Sequence, residues 1–187
     1  MPSEARSRAE WPPHLIPESI PDEVSLTLDS VEHLLGRVLS GRGVQAMVIG
    51  PGLGRGEGVA KAVERLIEVA VEESVPVVID ADAISMIPKG RWPAGMVGII
   101  TPHSREAEEW IGPEPATIRE ELDQSVNPEA RVVLLTGPVD RLFGPQGRGA
   151  LGTGGHPRMA VGGTGDLLAG ICGGLLAQGM TPWPAAR

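Results

Sequence analysis

Gln45-Ala46-Met47-Val48-Ile49 is a compact apolar run that empties into Gly50-Pro51-Gly52-Leu53-Gly54. An apolar run this short, closed by glycine, reads as a buried strand feeding a loop. Residues 57–73 then place Val59, Val63, Leu66, Ile67, Ala70 and Val71 on one helical face. The same unit recurs along the chain. Val75-Pro76-Val77-Val78-Ile79, Met96-Val97-Gly98-Ile99-Ile100 and Arg131-Val132-Val133-Leu134-Leu135 are further apolar runs. Helical stretches are expected at about 83–87, 104–111 and 117–125. Strands that are apolar throughout, alternating with helices, indicate an α/β domain with a mostly parallel sheet covered on both faces.

The flanks complete this frame. Asp29-Ser30-Val31-Glu32 has the spacing of a capping box and opens a helix expected over 30–39, and Thr117…Glu120 has the same spacing. The punctuated region 137–158 holds a hairpin around Pro145-Gln146-Gly147, and a final helix is expected over 165–178. Residues 1–23, rich in proline and charge, read as an extended or loosely ordered arm, and 24–187 as one domain. With no tyrosine and one phenylalanine, the core is expected to consist of Val, Ile, Leu, Ala and Met. The four tryptophans, Trp11, Trp92, Trp110 and Trp183, adjoin prolines or charges and read as surface-packing residues.

Composition removes several function classes. A net charge of −8 lacks the basic footprint that a nucleic-acid surface needs. A single cysteine, Cys172, excludes an intrachain disulfide and any Cys-rich metal site, and reads as a small buried hydrophobe. No stretch approaches the ~20 apolar residues of a membrane span. The first fifteen residues lack the apolar run of a signal peptide. A soluble cytoplasmic protein is expected.

The chemistry concentrates in Gly162-Gly163-Thr164-Gly165-Asp166, a glycine turn running into an apolar helix. Unpaired N–H groups there, with the helix dipole, make a concave anion site. Asp166, in the first turn, is placed to take a proton from a hydroxyl held beside that anion; as a plain helix cap it would do nothing more. Other motifs also follow strand ends, the edge where open α/β sheets bind ligands. The glycines of Gly50–Gly54, Gly52 and Gly54 among them, either admit a ligand close to the backbone or form a plain turn. Asp80 and Asp82 follow the second strand: Asp82 reads as the cap of the next short helix, and Asp80 stays open between turn and ligand. In Thr101-Pro102-His103-Ser104, His103 projects from the ligand edge, or the segment is a helix entrance capped by Ser104.

Taken in order, IGPGLG, VIDADAI, TPHSRE, TG and GGTGDLLAG, spread over about residues 44–180, resemble the ADP/ATP-dependent NAD(P)H-hydrate dehydratases, a branch of the ribokinase-like fold. The resemblance implies a repair reaction. The nucleotide phosphorylates the hydroxyl that water added to the reduced nicotinamide ring, and loss of phosphate restores NADH or NADPH. It implies that Gly52, His103 and Asp166 contact the hydrated cofactor, with Asp166 the base. It also implies that Thr136, Gly137, Pro138, Val139 and Asp140, with Gly165, line ADP or ATP, that the amides of Gly162 to Gly165 steady the moving phosphoryl group, and that Mg²⁺ bridges phosphate oxygens.

Three departures stand out. The family usually carries Lys where this chain has Thr136, with Arg141 and Arg148 as nearby substitutes. It usually has Asn where His156 precedes Pro157. Its domain also begins with a further glycine-rich strand–helix unit and ends with a further helix, neither found here, so exposed apolar surface and homo-oligomerisation are expected. Two other readings stay open: a kinase of the same fold acting on a vitamin-precursor alcohol, and a non-catalytic nucleotide-binding module.

Overall fold

The computed structural model describes residues 15–18, 20, 25–39, 43–112, 115–125 and 127–187. Along them run α1 (Leu28–Leu39), β1 (Met47–Ile49), α2 (Glu57–Glu72), β2 (Val77–Ile79), a 3₁₀ helix (Ala81–Met86) and β3 (Gly98–Ile100). Then come α3 (Ser104–Trp110), α4 (Pro115–Asp123), β4 (Arg131–Leu135), β5 (Asp140–Phe143), β6 (Gly149–Gly152), a short 3₁₀ turn (Pro157–Met159), α5 (Thr164–Ala177) and α6 (Pro182–Ala186). The sheet order is β1-β2-β3-β4-β5-β6. The first four strands are parallel, and β5 and β6 add an antiparallel hairpin. Gln146 and Gly147 turn that hairpin with φ of 59° and 69°.

Strand periodicity explains the unbroken apolar runs. Val77, Ile79, Ile100 and Val133 enter the core under α2, α3 and the 3₁₀ helix. Their neighbours Val78, Ile99, Val132 and Leu134 enter a second core with Ala169, Cys172 and Leu176 of α5. Alternate side chains serve opposite faces, and where both faces are covered, at the buried positions of β2, β3 and β4, a polar side chain would be costly. A third cluster joins Val31 and Leu35 of α1 to Ala62 and Val69 of α2.

Several expectations are corrected. Trp92 and Trp110 are buried, with ring centroids 6.4 Å apart. Their indole N–H groups donate to the carbonyls of Met96 (2.9 Å) and Pro88 (3.1 Å), which lets these large rings leave water. Phe143 is buried as well, so the core is not purely aliphatic. Trp183 is half-buried beneath the Arg148 guanidinium, while Trp11 lies outside the described residues. The start of α1 is capped by Thr27, whose Oγ1 accepts the Ser30 N–H at 3.3 Å, rather than by Asp29. The expected Thr117 cap falls on a side chain outside the described ones. Most of the expected arm also lies outside them, yet Ile20 is buried.

Candidate active site

Because β1 to β4 run parallel, their C-terminal ends share one edge, with Ile49, Ile79, Ile100 and Val133 in register. The His103–Thr136 bridge extends the pairing beyond β3 and β4. At this edge lies a cleft of about 160 Å³ lined by Asp80, Ala81, Thr101, His103, Glu106, Thr136, Gly165, Asp166 and Leu168. The structure therefore brings together four residues singled out in the sequence: His103, Thr136, Gly165 and Asp166. Gly52, Gly54, Gly162, Gly163, Thr164 and the turn Gly137 to Asp140 are not among its walls.

The start of α5 has the form an anion site needs. Gly163 occupies the N-cap with φ 89°, a backbone state that glycine adopts without strain, and no side chain caps the helix. The first intrahelical bond runs from the Leu167 N–H to the Gly163 carbonyl at 3.0 Å. The amides of Gly165 and Asp166 precede it and have no helical acceptor. A Cβ built at Gly162, Gly163 or Gly165 would meet nothing within 4 Å, so ground remains for a ligand. Asp166 stands in the first turn but not at the cap, and its exposed carboxylate has no hydrogen-bond or ion-pair partner among the described residues.

Below it lies Asp80, which is buried. Its carboxylate accepts from the Thr101 hydroxyl at 2.7 Å. Burial pushes its pKa up, opposed by the Thr101 hydroxyl and the Ala81 amide, and the nearby negative charge of Asp166 adds to the rise. The adjoining Asp82 does not cap the short helix. It reaches across to the glycine loop after β1, accepting from the Gly54 N–H at 3.0 Å and from Arg55 Nε at 3.3 Å. Asp80 holds the N-cap position instead. Gly50 fixes the other end of the loop: a Cβ there would sit 1.7 Å from the Asp80 carbonyl oxygen.

His103, not Ser104, caps α3. Its Nδ1 accepts the Glu106 N–H at 3.2 Å, and Glu106 Oε2 accepts the His103 N–H at 2.9 Å. Thr136 is committed to Pro102, whose carbonyl accepts its N–H at 2.9 Å and its hydroxyl at 3.4 Å. Arg148 does not stand in for the missing Lys, because it pairs with Glu129 at 3.3 Å and lies over Trp183. Asp140 closes its own turn by accepting the Gly137 N–H at 3.0 Å. His156 caps the short 3₁₀ turn, its Nδ1 accepting the Arg158 N–H at 3.2 Å.

Sequence reasoning missed Ala81, Thr101, Glu106 and Leu168 as cleft residues and left Asp80 undecided. A reciprocal cap built on histidine escapes a search for Ser or Thr three residues before Glu. Cys172 is buried and free, as expected. No helix among the described residues is long and apolar enough to cross a membrane.

A mostly parallel α/β sheet with an open glycine turn and a carboxylate without a partner among the described residues, at the C-terminal edge of its parallel strands, has the architecture of the ribokinase-like class. Comparison with known proteins narrows this. The NAD(P)H-hydrate dehydratase family model matches residues 16–186, and the chain belongs to that family. It is 32% identical over 196 residues to the bifunctional NAD(P)H-hydrate repair enzyme of Hyperthermus butylicus, covering 99% of this chain and 35% of that protein. It is 37% identical over 153 residues to the enzyme of the same name from Salinibacter ruber, covering 75% and 27%. The ADP/ATP-dependent NAD(P)H-hydrate dehydratase of Bacillus subtilis, co-crystallised with ATP/Mg²⁺, superposes with a TM-score of 0.62 at 27% identity, over 84% of this chain and 56% of that one. Hydroxyethylthiazole kinase from Pyrococcus horikoshii, at 19% identity and TM-score 0.60, shares the fold. The chain thus spans about a third of its curated relatives and under three-fifths of the solved dehydratase.

Proposed function

We propose that this chain repairs hydrated NADH or NADPH with ADP or ATP as phosphoryl donor. The observation that carries the reading is the exposed Asp166 carboxylate, without a partner among the described residues and in one cleft with His103 and the Gly165 amide. Asp166 accepts the proton of the ring hydroxyl while that oxygen forms a bond to the terminal phosphorus and the bond to the leaving nucleotide breaks. The Thr164 N–H donates to the Val161 carbonyl at 3.3 Å, so the amides of Gly162, Gly163 and Gly165 are the ones left to face the charge on the transferring group, where positioning and electrostatics supply most of the catalysis. Phosphate then departs with the hydroxyl oxygen, a proton leaves the neighbouring ring carbon, and the reduced ring is restored. Gly52 and Gly54 on one side, and Thr136 to Asp140 on the other, extend the site toward the cofactor and the adenine nucleotide.

Mg²⁺ fits the donor set. The cleft presents oxygen ligands from Asp80, Glu106 and Asp166, while no group of three or more His, Cys, Asp or Glu among the described residues forms a closed metal cage. Magnesium held by one or two carboxylates, with phosphate oxygens and water completing the shell, needs no such cage. When bound it neutralises phosphate charge. The same reading treats residues 24–187 as one domain, locates the protein in the cytoplasm, where these nucleotides meet, and makes it a homo-oligomer.

Incubation with hydrated NADH, Mg²⁺ and ADP or ATP is expected to restore the absorbance of the reduced ring. Asp166→Asn is expected to lower that turnover by about 100- to 10,000-fold, the scale of a lost general base, while leaving nucleotide binding intact. Retained turnover removes Asp166 from the base role. A stable phosphorylated alcohol in place of free phosphate would point to a kinase of the same fold.

A further inference from the structure

We propose that Asp82 is a positioning residue for the repair reaction: its carboxylate holds the glycine loop after β1 in the shape that receives the nicotinamide substrate. This rests on the dehydratase reading of the cleft, in which that loop borders the cofactor. The loop is soft by composition. Gly52 and Gly54 lie in the left-handed region, with φ of 69° and 71°, and glycine there keeps the freedom to leave. Something outside the loop must hold its shape. Among the described residues, every hydrogen bond from residues 51–55 to another element ends on Asp82: Oδ2 accepts the Gly54 N–H at 3.0 Å, and Oδ1 accepts the Arg55 Nε–H at 3.3 Å. The Leu53 N–H turns back to the Gly50 carbonyl at 3.2 Å, within the loop, and the Leu53 side chain packs on the core under α2.

The backbone around Asp82 is built to aim it. Ala81, just before it, has φ 49°, a left-handed state that strains a residue with a Cβ and persists only where the surroundings impose it. Behind Asp82 the Ser85 hydroxyl donates to its carbonyl at 2.7 Å. Ala81 also lines the cleft, so one strained turn joins the cleft wall to the side chain that grips the loop. The two bonds of the grip differ in weight. The amide bond is charge-assisted, and the Asp82 side chain is only 29% exposed; the Arg55 side chain is 64% exposed, and an ion pair there contributes little. The loop follows β1 and the 136–140 turn follows β4, with β2 and β3 between them. Loss of the grip therefore acts on the β1 side of the cleft and spares the nucleotide side.

Two substitutions at one position separate the grip from its charge. In Asp82→Asn the amide oxygen still accepts the Gly54 N–H; in Asp82→Ala nothing does. Asp82→Ala is expected to raise KM for hydrated NADH by about 5- to 50-fold, with kcat and KM for ADP or ATP changed by less than about threefold, the pattern of binding lost on one side of the site. Asp82→Asn is expected to bring KM for hydrated NADH back to within about fivefold of wild type. Amide exchange at Gly54, followed by NMR, is expected to quicken by roughly 10- to 100-fold in Asp82→Ala, the scale of one bond to a charged group, and by less in Asp82→Asn. A bond that only stabilised the fold would lower the melting temperature and move neither KM. An unchanged KM for hydrated NADH in Asp82→Ala, or an equal rise in both KM values, thus overturns the proposal. Unchanged exchange at Gly54 overturns the grip itself. Wild-type protein that turns over no hydrated NADH overturns the functional reading instead, while Gly54 exchange still decides whether Asp82 holds the loop.

Discussion

Asp80 sits at the floor of the cleft, buried, with the charge of Asp166 nearby, and both facts raise its pKa above the ordinary 3.8. A group that holds its proton more tightly when folded makes the native state bind more protons than the unfolded chain. Stability then falls as pH rises from that ordinary value through the raised one. Asp80→Asn cannot titrate, so its stability relative to wild type is expected to climb as pH rises through this window. Urea midpoints of the two proteins at about pH 4 and pH 7 measure the effect, and profiles that stay parallel would contradict it. The contrast with Asp166 shows what single residues revealed in advance. A carboxylate three places into an apolar helix, after four residues of which three are glycine, has few structural duties, and the sequence marked it. A carboxylate directly after a buried strand serves turns as readily as sites, so Asp80 stayed undecided until its burial and its Thr101 bond were seen. Asp82 misled for the same reason: the loop it holds, at Gly54 and Arg55, lies 28 and 27 residues away in sequence.

At the scale of elements, α5 carries both the anion turn and the packing that aims it. Its apolar face meets β1 and β2, and the approach depends on one glycine. A Cβ at Gly173 would lie 2.4 Å from Val48 Cγ2, whereas one at Gly174 would meet nothing within 4 Å. Gly173→Ala is expected to destabilise by about 1–3 kcal/mol through overpacking. Gly174→Ala is expected to stabilise by about 0.5–1 kcal/mol, because alanine is the better helix former. Chemical denaturation of the two variants checks the pair, and equal effects would show that α5 does not sit tightly on β1. The sequence distinguishes neither glycine from the other, since its pattern records helix period but not which backbone approaches which neighbour. The central elements were legible because β2, β3 and β4 each serve two cores and α2 shows an apolar stripe. Caps were less so. Thr27 and His103 displaced the expected Asp29 and Ser104 because several polar side chains compete for one amide, and only backbone geometry decides among them.

The whole molecule leaves apolar surface in water. Leu167 and Ile171, one turn apart on α5, are 64% and 51% exposed, and Val161 and Met159 just before the helix are exposed too. β1 has a neighbour on one side only among the described strands, and Val48 on it is exposed. Which side chains form this surface became visible only in the fold. Exposed large apolar side chains and an open strand edge favour association, so wild-type protein is expected to gain mass with concentration in sedimentation velocity. The net charge of −8 opposes this at long range, and added salt should therefore strengthen association by screening. Ile171→Lys places a charge among these side chains at an exposed position, where the cost to folding is within about 0.5 kcal/mol. It is expected to yield a monomer with an unchanged melting temperature. A wild type that stays monomeric at high concentration and high salt would show instead that this face makes no contact between copies. Monomeric Ile171→Lys protein that retains turnover would show that the cleft is complete within one copy, since Asp166 and His103 come from the same chain.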